Sequence, residues 1–276
     1  MDPGNGVFSY RHGMSVGQIF VSSFFLYIAG LFKRSNRSGW STKSTFSLFR
    51  IVGGSCLLAL INDRSDVLWV VAFVCEWKGV LLVLFLLVEV LQDMNGQIQG
   101  LHPWEFYSPT VIAAAESAVS IAGFVEMSNQ NNLLRPTRYS IAAAALVALN
   151  HLCVLGIGAA LRRRREQISK TYKPGLSCIF ACALPLMMRI VYLLVYMITG
   201  DMMWNSMKGN ATLYLCLSAF PEIAAVSVCS WTILRRPPKE EKHVKSADLE
   251  EAKSQQYLPL GQGSNGKSVT IAAAVV

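Results

Sequence analysis

Charged residues are scarce in this sequence. Asp, Glu, Lys and Arg make up only 15% of its 276 residues, whereas hydrophobic residues make up 53%. Soluble domains carry about 25% charged residues, so this chain has too few charges to cover a water-soluble globule of its length. The composition therefore argues against a single soluble domain and favours a membrane protein.

Further absences exclude several classes of intramembrane enzyme and pigment. The apolar segments contain no Asp, and the last of them contains no Lys, which argues against an intramembrane aspartyl protease and against a retinal Schiff base. Of the four histidines only His151 lies inside an apolar segment, so histidines cannot supply three converging zinc ligands at one depth. We therefore expect no enzyme activity, no cofactor and no metal site.

Seven stretches are long and apolar enough to cross a bilayer as helices, for which about 20 residues are needed. The second stretch is short and carries Arg50 near its start, whose side chain we expect to reach the inner membrane surface. The sequence predicts an all-α polytopic membrane protein with seven transmembrane helices, at Met14–Phe32, Thr45–Ile61, Val67–Leu91, Tyr107–Val125, Tyr139–Leu161, Pro174–Gly200 and Ala211–Leu234.

The basic residues predict how these helices are oriented. The segments 33–43, 162–173 and 235–245 hold fifteen Lys and Arg residues, whereas the loops on the opposite side hold five. Basic residues concentrate in cytoplasmic loops, so we expect the amino terminus outside and the carboxyl terminus in the cytoplasm, in the plasma membrane or an endomembrane. The net charge of +8 thus reflects topology, and we expect membrane lipids as partners and no nucleic acid. The sequence names no protein partner.

The domain organisation follows from the spans. Residues 1–13 form a short outer segment, 14–234 the transmembrane domain, and 235–276 a polar cytoplasmic tail whose composition predicts disorder. The tail contains Gly261–Ser268, which fits the phosphate-loop pattern G-x-x-x-x-G-K-S. That loop needs a preceding strand and a following helix, and the tail provides neither, so we do not expect nucleotide binding.

Five ionisable side chains lie deep inside the predicted spans: Glu76, Lys78, Glu116, Arg189 and Glu222. A charge at mid-bilayer costs about 2.5–3.5 kcal/mol on insertion scales, so such groups face the bundle interior and find partners. The depths predict a salt bridge between Arg189 and Glu222 and a second between Lys78 and Glu116. With three acids and two bases, one carboxyl group is left to carry a proton or to meet a cationic ligand group.

Helix periodicity extends this polar level. Tyr192 lies one turn from Arg189, and Asn150 and His151 lie near mid-depth of the fifth span. The predicted ligand-binding set is Arg189, Glu222, Glu116, Lys78, Glu76, Tyr192, Asn150 and His151. The same polar groups could instead only hold helices together, at about 0.6–2 kcal/mol per contact, and the sequence does not decide between the two roles.

Two other residue classes carry predictions. Asn210 begins the sequon Asn-Ala-Thr in an outer loop, so it is a candidate for glycosylation. All seven cysteines fall inside predicted spans, which is typical of small buried hydrophobic residues and not of a disulfide framework.

Short motifs give the chain a family resemblance. They are Phe49-Arg50, Leu134–Tyr139, Met188–Tyr192, Gly209–Thr212 and Pro221-Glu222. Over residues 10–235 the chain resembles a family of uncharacterised fungal seven-helix membrane proteins, which is similar in layout to fungal lipid-translocating exporter-like proteins. The resemblance implies the fold and a membrane location, and no established activity.

Three functions are compatible with these features. The first is a membrane protein that binds or moves a small amphipathic solute or lipid through a polar site around Arg189 and Glu222. The second is a heptahelical receptor or sensor, although the sequence lacks an acidic-Arg-aromatic triplet at the inner end of span three and an Asn-Pro-x-x-Tyr motif in span seven. The third is a scaffold whose buried charges are only structural.

Overall fold

The computed structural model describes residues 9–62, 65–98, 101–128, 135–164, 166 and 172–236, without the side chains of 97, 98, 127 and 128. This part of the chain is helical and contains no strand. The helices are α1 (Tyr10–Arg34), α2 (Trp40–Ala59), α3 (Asp66–Ile98), α4 (Tyr107–Ser128), α5 (Arg138–Arg163), α6 (Lys173–Thr199), α7 (Ala211–Tyr214) and α8 (Phe220–Leu234).

A π-helical segment, Leu215–Ala219, joins α7 to α8, and we call this continuous unit (Ala211–Leu234) the last helix. Short 3₁₀ helices lie at Pro103–Phe106 and Met202–Trp204. The predicted tail beyond Arg236, with its phosphate-loop pattern, lies outside the described residues.

Six of the helices are long and apolar enough to cross a membrane: α1, α3, the helix formed by 103–126, α5, α6 and the last helix. The sequence predicts seven spans, and α2 is the one that does not reach this standard. Its first turns carry Ser, Thr and Lys residues, which lower its hydropathy. The chain is an all-helical, multi-pass membrane protein, with six spans supported by length and composition.

Helix α3 lies at the centre of the bundle. It packs against α2, α4, α5, α6 and α8, while α1 packs on the far side of α2. Two thirds (67%) of its most apolar window is buried, as expected for a helix that is hydrophobic on nearly every side. Polar side chains in the buried middle of α3, such as Glu76, therefore meet other helices.

Small residues let α2 approach both of its neighbours closely. A Cβ atom added at Gly54 would lie 2.8 Å from Ile19 Cγ1 of α1, and one added at Gly53 would lie 3.0 Å from Cys75 Cβ of α3. Close approach through small residues is the usual way in which helices pack in lipid. This contact brings the polar face of α2 against the central helix.

Candidate functional site

Four charged side chains from four helices meet in the bundle interior, and we call them the charge quartet: Arg50 of α2, Glu76 of α3, Arg189 of α6 and Glu222 of α8. Each side chain is at most 7% exposed. Two guanidinium groups and two carboxylates make the quartet formally neutral. Neutrality within the cluster reduces the cost of burying these charges, because each one has an opposite charge as a partner.

Arg50 bridges the two carboxylates of the quartet. Its Nε donates to Glu222 Oε1 at 3.0 Å, its Nη2 donates to Glu222 Oε2, and its Nη1 donates to Glu76 Oε2. The prediction that Arg50 reaches the membrane surface is wrong. The side chain stays inside because two buried carboxylates replace the water that it would otherwise seek.

Arg189 binds mainly to Glu76. Its Nη2 lies 2.6 Å from Glu76 Oε1 and 3.0 Å from the Glu76 backbone oxygen, whereas its Nε lies 3.7 Å from Glu222 Oε2. The predicted Arg189–Glu222 bridge is therefore the weaker of its contacts, because Arg50 occupies Glu222. Counting Arg50, three acids face three bases, so the predicted surplus carboxyl group does not exist.

Gly79, one turn after Glu76 on α3, makes room for the quartet. A Cβ atom at this position would lie 2.4 Å from Arg50 Nη2 and 2.6 Å from Glu222 Oε1. Since real Cβ contacts are longer than this, only glycine lets the Arg50–Glu222 pair lie directly against the helix backbone. Sequence periodicity gives no sign of this requirement.

Lys78 and Glu116 form a separate ion pair, as the sequence predicts. Lys78 Nζ lies 2.9 Å from Glu116 Oε2 and 2.8 Å from Ser120 Oγ. Trp77 Nε1 donates to the other Glu116 oxygen at 2.7 Å. Glu76 and Lys78 are two residues apart on α3, so their side chains leave the helix on different faces and belong to different clusters.

The other three predicted site residues are buried but do not join the quartet through a hydrogen bond. Tyr192 stacks near Trp204 with ring centres 5.9 Å apart, and His151 lies against the backbone of Ala183. Within the described part of the chain, Asn150 Oδ1 and the Tyr192 hydroxyl have no hydrogen-bond partner. Asn210 is exposed and caps α7, its side-chain oxygen accepting from Thr212 N at 2.9 Å.

A cavity of about 200 Å³ reaches two members of the quartet. It lies between α1, α2 and the last helix, and Arg50 and Glu222 are the charged residues in its wall. Three of the other lining residues are polar, namely Gln18, Ser22 and Tyr214. The rest are apolar or small: Met14, Gly17, Val21, Phe25, Phe46, Leu215, Ala219 and Ile223. A mostly apolar cavity with one charged pair in its wall has the polarity of an amphipathic molecule.

Local sequence explains the wall that the last helix presents. The π-helical segment at Leu215–Ala219 ends two residues before Pro221, which has no backbone N–H to donate. The wider turn shifts the helix register at this point, and Leu215, Ala219 and Glu222 all face the cavity. Single π-helical turns inside helices are frequent at functional sites.

Helix α1 contributes a part of the site that the sequence did not predict. The α1 residues in the cavity wall are 14, 17, 18, 21, 22 and 25, a spacing that defines one face of a helix. The polar residues Gln18 and Ser22 lie one turn apart on this face, and their spacing was a usable signal in a mostly apolar span.

All seven cysteines are free thiols. Three of them, Cys178, Cys182 and Cys229, lie together away from the cavity wall, and their sulfur atoms are within 4.8 Å of one another. Among the described residues this is the group of Cys, His, Asp or Glu side chains whose geometry suits a metal ion.

These features define a multi-pass helical membrane protein with a buried ion-pair network and an apolar cavity that reaches it. The chain belongs to the family described as a domain of unknown function, DUF7702, whose model matches residues 8–235. The match covers all helices of the bundle. No curated protein and no solved structure is significantly similar to the chain.

Proposed function

We propose that this membrane protein binds, and moves, a small amphipathic solute or lipid in the cavity between α1, α2 and the last helix. The observation that carries the proposal is the polarity of the cavity wall, which is mostly apolar and contains one charged pair, Arg50 and Glu222. At about 200 Å³ the cavity is smaller than the roughly 300–1,000 Å³ of ordinary ligand pockets. It therefore suits one narrow chain and a compact head group.

Arg50 is the group that would recognise an anionic head group. A guanidinium binds carboxylates and phosphates through paired hydrogen bonds, and Glu222 occupies two of the Arg50 donors. A ligand carboxylate or phosphate at Arg50 would displace Glu222. The Glu222 carboxylate would then keep one cationic partner, Arg189, whose Nε lies 3.7 Å from Glu222 Oε2. Ligand binding and rearrangement of the quartet are thereby coupled.

The direction of access follows from the predicted topology. The cavity wall uses the first half of α1 and the first half of the last helix, so both contribute from the same end of the bundle. With the amino terminus outside, this end is the outer or lumenal one. The resemblance in layout to fungal lipid-translocating exporter-like proteins, which the sequence motifs suggest, favours a lipid ligand, and we assign no enzyme activity to the chain.

Photo-crosslinking in lipid nanodiscs tests the proposal. The probe is decanoate with a diazirine in its chain, and peptide mass spectrometry locates the labels. We expect labels at cavity residues such as Val21 and Leu215, which unlabelled decanoate suppresses and decyltrimethylammonium does not. Phe20 is 78% exposed on the outside of α1 and reports nonspecific contact. Labels confined to Phe20 and similar positions, with no competition, would overturn the proposal.

The pairing of all four quartet charges also favours a second candidate, a scaffold in which the network is only structural. Exchanging two charges, Arg50→Glu together with Glu222→Arg, keeps the quartet neutral. A scaffold then recovers both thermal stability and the cellular phenotype of a deletion strain. A ligand site recovers stability only, because the cation no longer extends from α2 into the cavity.

A further inference from the structure

The three clustered thiols come from two helices. Cys178 and Cys182 are one turn apart on α6, and Cys229 lies opposite them on α8. Cys229 Sγ is 3.8 Å from Cys178 Sγ and 3.9 Å from Cys182 Sγ. All three residues are at most 2% exposed. We propose that Cys178, Cys182 and Cys229 form a binding site for one soft monovalent metal ion of the Cu(I) class.

The sulfur separations match three-coordinate binding. Metal–thiolate bonds are about 2.3 Å long, so three sulfurs arranged in a plane around one ion are about 4.0 Å apart. The two separations that involve Cys229, 3.8 and 3.9 Å, lie within a few tenths of an ångström of this value, and the third pair, Cys178 and Cys182, lies within 4.8 Å. The thiols are not bonded to each other, since a disulfide bond is about 2.05 Å long.

The donor set favours Cu(I) over zinc. Thiolates select soft ions such as Cu(I) and Zn(II), but structural zinc sites take four ligands. The described residues supply three here. The hydroxyl of Thr232, which lies beside Cys178, instead donates to the Val228 backbone oxygen at 2.8 Å. An ion satisfied by three sulfurs fits this cluster best.

Two basic side chains lie near the cluster and compensate the negative charge of a thiolate site. Lys43 of α2 is fully buried, donates to Ser230 Oγ beside Cys229, and interacts electrostatically with Cys229. Among the described residues no carboxylate forms a salt bridge with Lys43, whose other neighbours are the rings of Phe25 and Phe32 at 5.1 and 4.8 Å. A buried lysine without a carboxylate is costly, and thiolates at Cys229 and its neighbours supply the missing anion.

Arg236 is the second of these bases. It interacts electrostatically with Cys178 and Cys229 as well as with Asp93, from which its Nη1 is 3.6 Å away. Three thiolates around one Cu(I) ion carry a net charge of minus two, which Lys43 and, in part, Arg236 offset, because Arg236 is shared with Asp93. The metal displaces the thiol protons when it binds.

The cluster has a route for the ion. Cys178 and Thr232 line an open groove of about 470 Å³ between α6 and α8, together with Ser177, Trp231 and Arg235. The groove lies at the end of the bundle where α6 begins and α8 ends, which is the opposite end from the cavity entrance. The metal site can therefore be tested independently of the proposed amphiphile site.

The test is titration of the reduced, purified full-length chain with Cu(I) in the presence of bicinchoninate as a competing chelator. We expect one tightly held ion per chain, with sulfur-only coordination by X-ray absorption. Cys182→Ser and Cys229→Ser should each weaken binding by at least about tenfold. Cys75→Ser removes a buried thiol outside the cluster, and Cys216→Ser removes an exposed one, so both should bind as the wild type does.

A measurement on the wild type alone guards against variants that fail to fold. Cu(I) should protect Cys178 from N-ethylmaleimide and leave the labelling of Cys216 unchanged, as read by peptide mass spectrometry. Absence of Cu(I)–sulfur coordination in the wild type, retention of Zn(II) in preference to Cu(I), or unchanged Cu(I) binding after removal of all three thiols would each overturn the proposal.

Discussion

Arg50 and Glu222 lie 172 positions apart in the sequence and meet side by side inside the bundle, with Arg50 Nε donating to Glu222 Oε1 at 3.0 Å and Nη2 donating to Oε2. These two residues belong to the neutral charge quartet and are also the charged residues in the cavity wall. The quartet makes the pair stable, and the cavity makes it reachable by a ligand.

Removal of the shared carboxylate should strongly destabilise the bundle. Glu76 accepts from both Arg50 and Arg189, so Glu76→Ala leaves two buried cations with one carboxylate. Breaking a buried pair in this way costs about 3–5 kcal/mol. The measurement is thermal unfolding in detergent. The control, Glu105→Ala, removes an exposed carboxylate and should change stability by less than about 0.5 kcal/mol. Equal effects of the two variants would show that the bundle does not depend on Glu76.

Gly79→Ala should destabilise the protein although the change is a single methyl group. The added Cβ would meet Arg50 Nη2 at 2.4 Å, and such overpacking costs about 1–3 kcal/mol. Gly156→Ala on α5 is the matched control, because nothing lies within 4 Å of its added Cβ and alanine is favoured in helices by about 0.5–1 kcal/mol. Unfolding temperatures should therefore move in opposite directions, and a rise for both variants would show that the quartet does not need glycine.

The Lys78–Glu116 pair should matter for folding and not for ligand binding. Lys78→Met leaves Glu116 buried with Trp77 Nε1 as its donor and should cost about 3–5 kcal/mol. Adding Glu116→Gln removes the unpaired charge, keeps an acceptor for Trp77, and should restore stability to within about 1 kcal/mol of the wild type. Labelling by the decanoate probe should be unchanged in the double variant. Loss of labelling would place this pair in the binding site.

Asn210 reports the topology. It is exposed and caps α7 through its side-chain oxygen, whereas a glycan attaches to the nitrogen. On the predicted orientation, expression in a eukaryotic secretory host should give a glycosidase-sensitive form that Asn210→Gln abolishes. Asn36, in the sequon between α1 and α2, should stay unmodified. Modification of Asn36 instead would reverse the orientation.

Much of the fold could be predicted from hydropathy alone. The length of the apolar segments predicts the six long helices. The cost of charge in lipid predicts that five ionisable residues face the bundle interior, and of these Lys78 and Glu116 pair as expected. Helix periodicity also separates Glu76 from Lys78. These features are predictable because each depends on a local pattern and a known period.

The parts that the sequence did not predict depend on which helix meets which. Arg50 lies near the start of its span, where an isolated helix would let it reach water, and only the packing of α2 and α8 against α3 brings it to Glu76 and Glu222. For the same reason, Arg189 binds mainly to Glu76 and not to the predicted partner Glu222. The cavity wall on α1 and the meeting of Cys229 with the Cys178 and Cys182 pair likewise depend on tertiary contacts that no single segment encodes.

The cavity itself is tested most directly by filling it. Gly17 lines the cavity and has nothing within 4 Å of an added Cβ, so Gly17→Phe should fold and occupy the space. Gly30→Phe is the matched control on the same helix, with equally open surroundings outside the cavity wall. The decisive measurement is competable labelling by the diazirine decanoate probe in nanodiscs. We expect at least a tenfold loss of labelling in Gly17→Phe and wild-type labelling in Gly30→Phe, and equal labelling of the two variants would contradict ligand binding in this cavity.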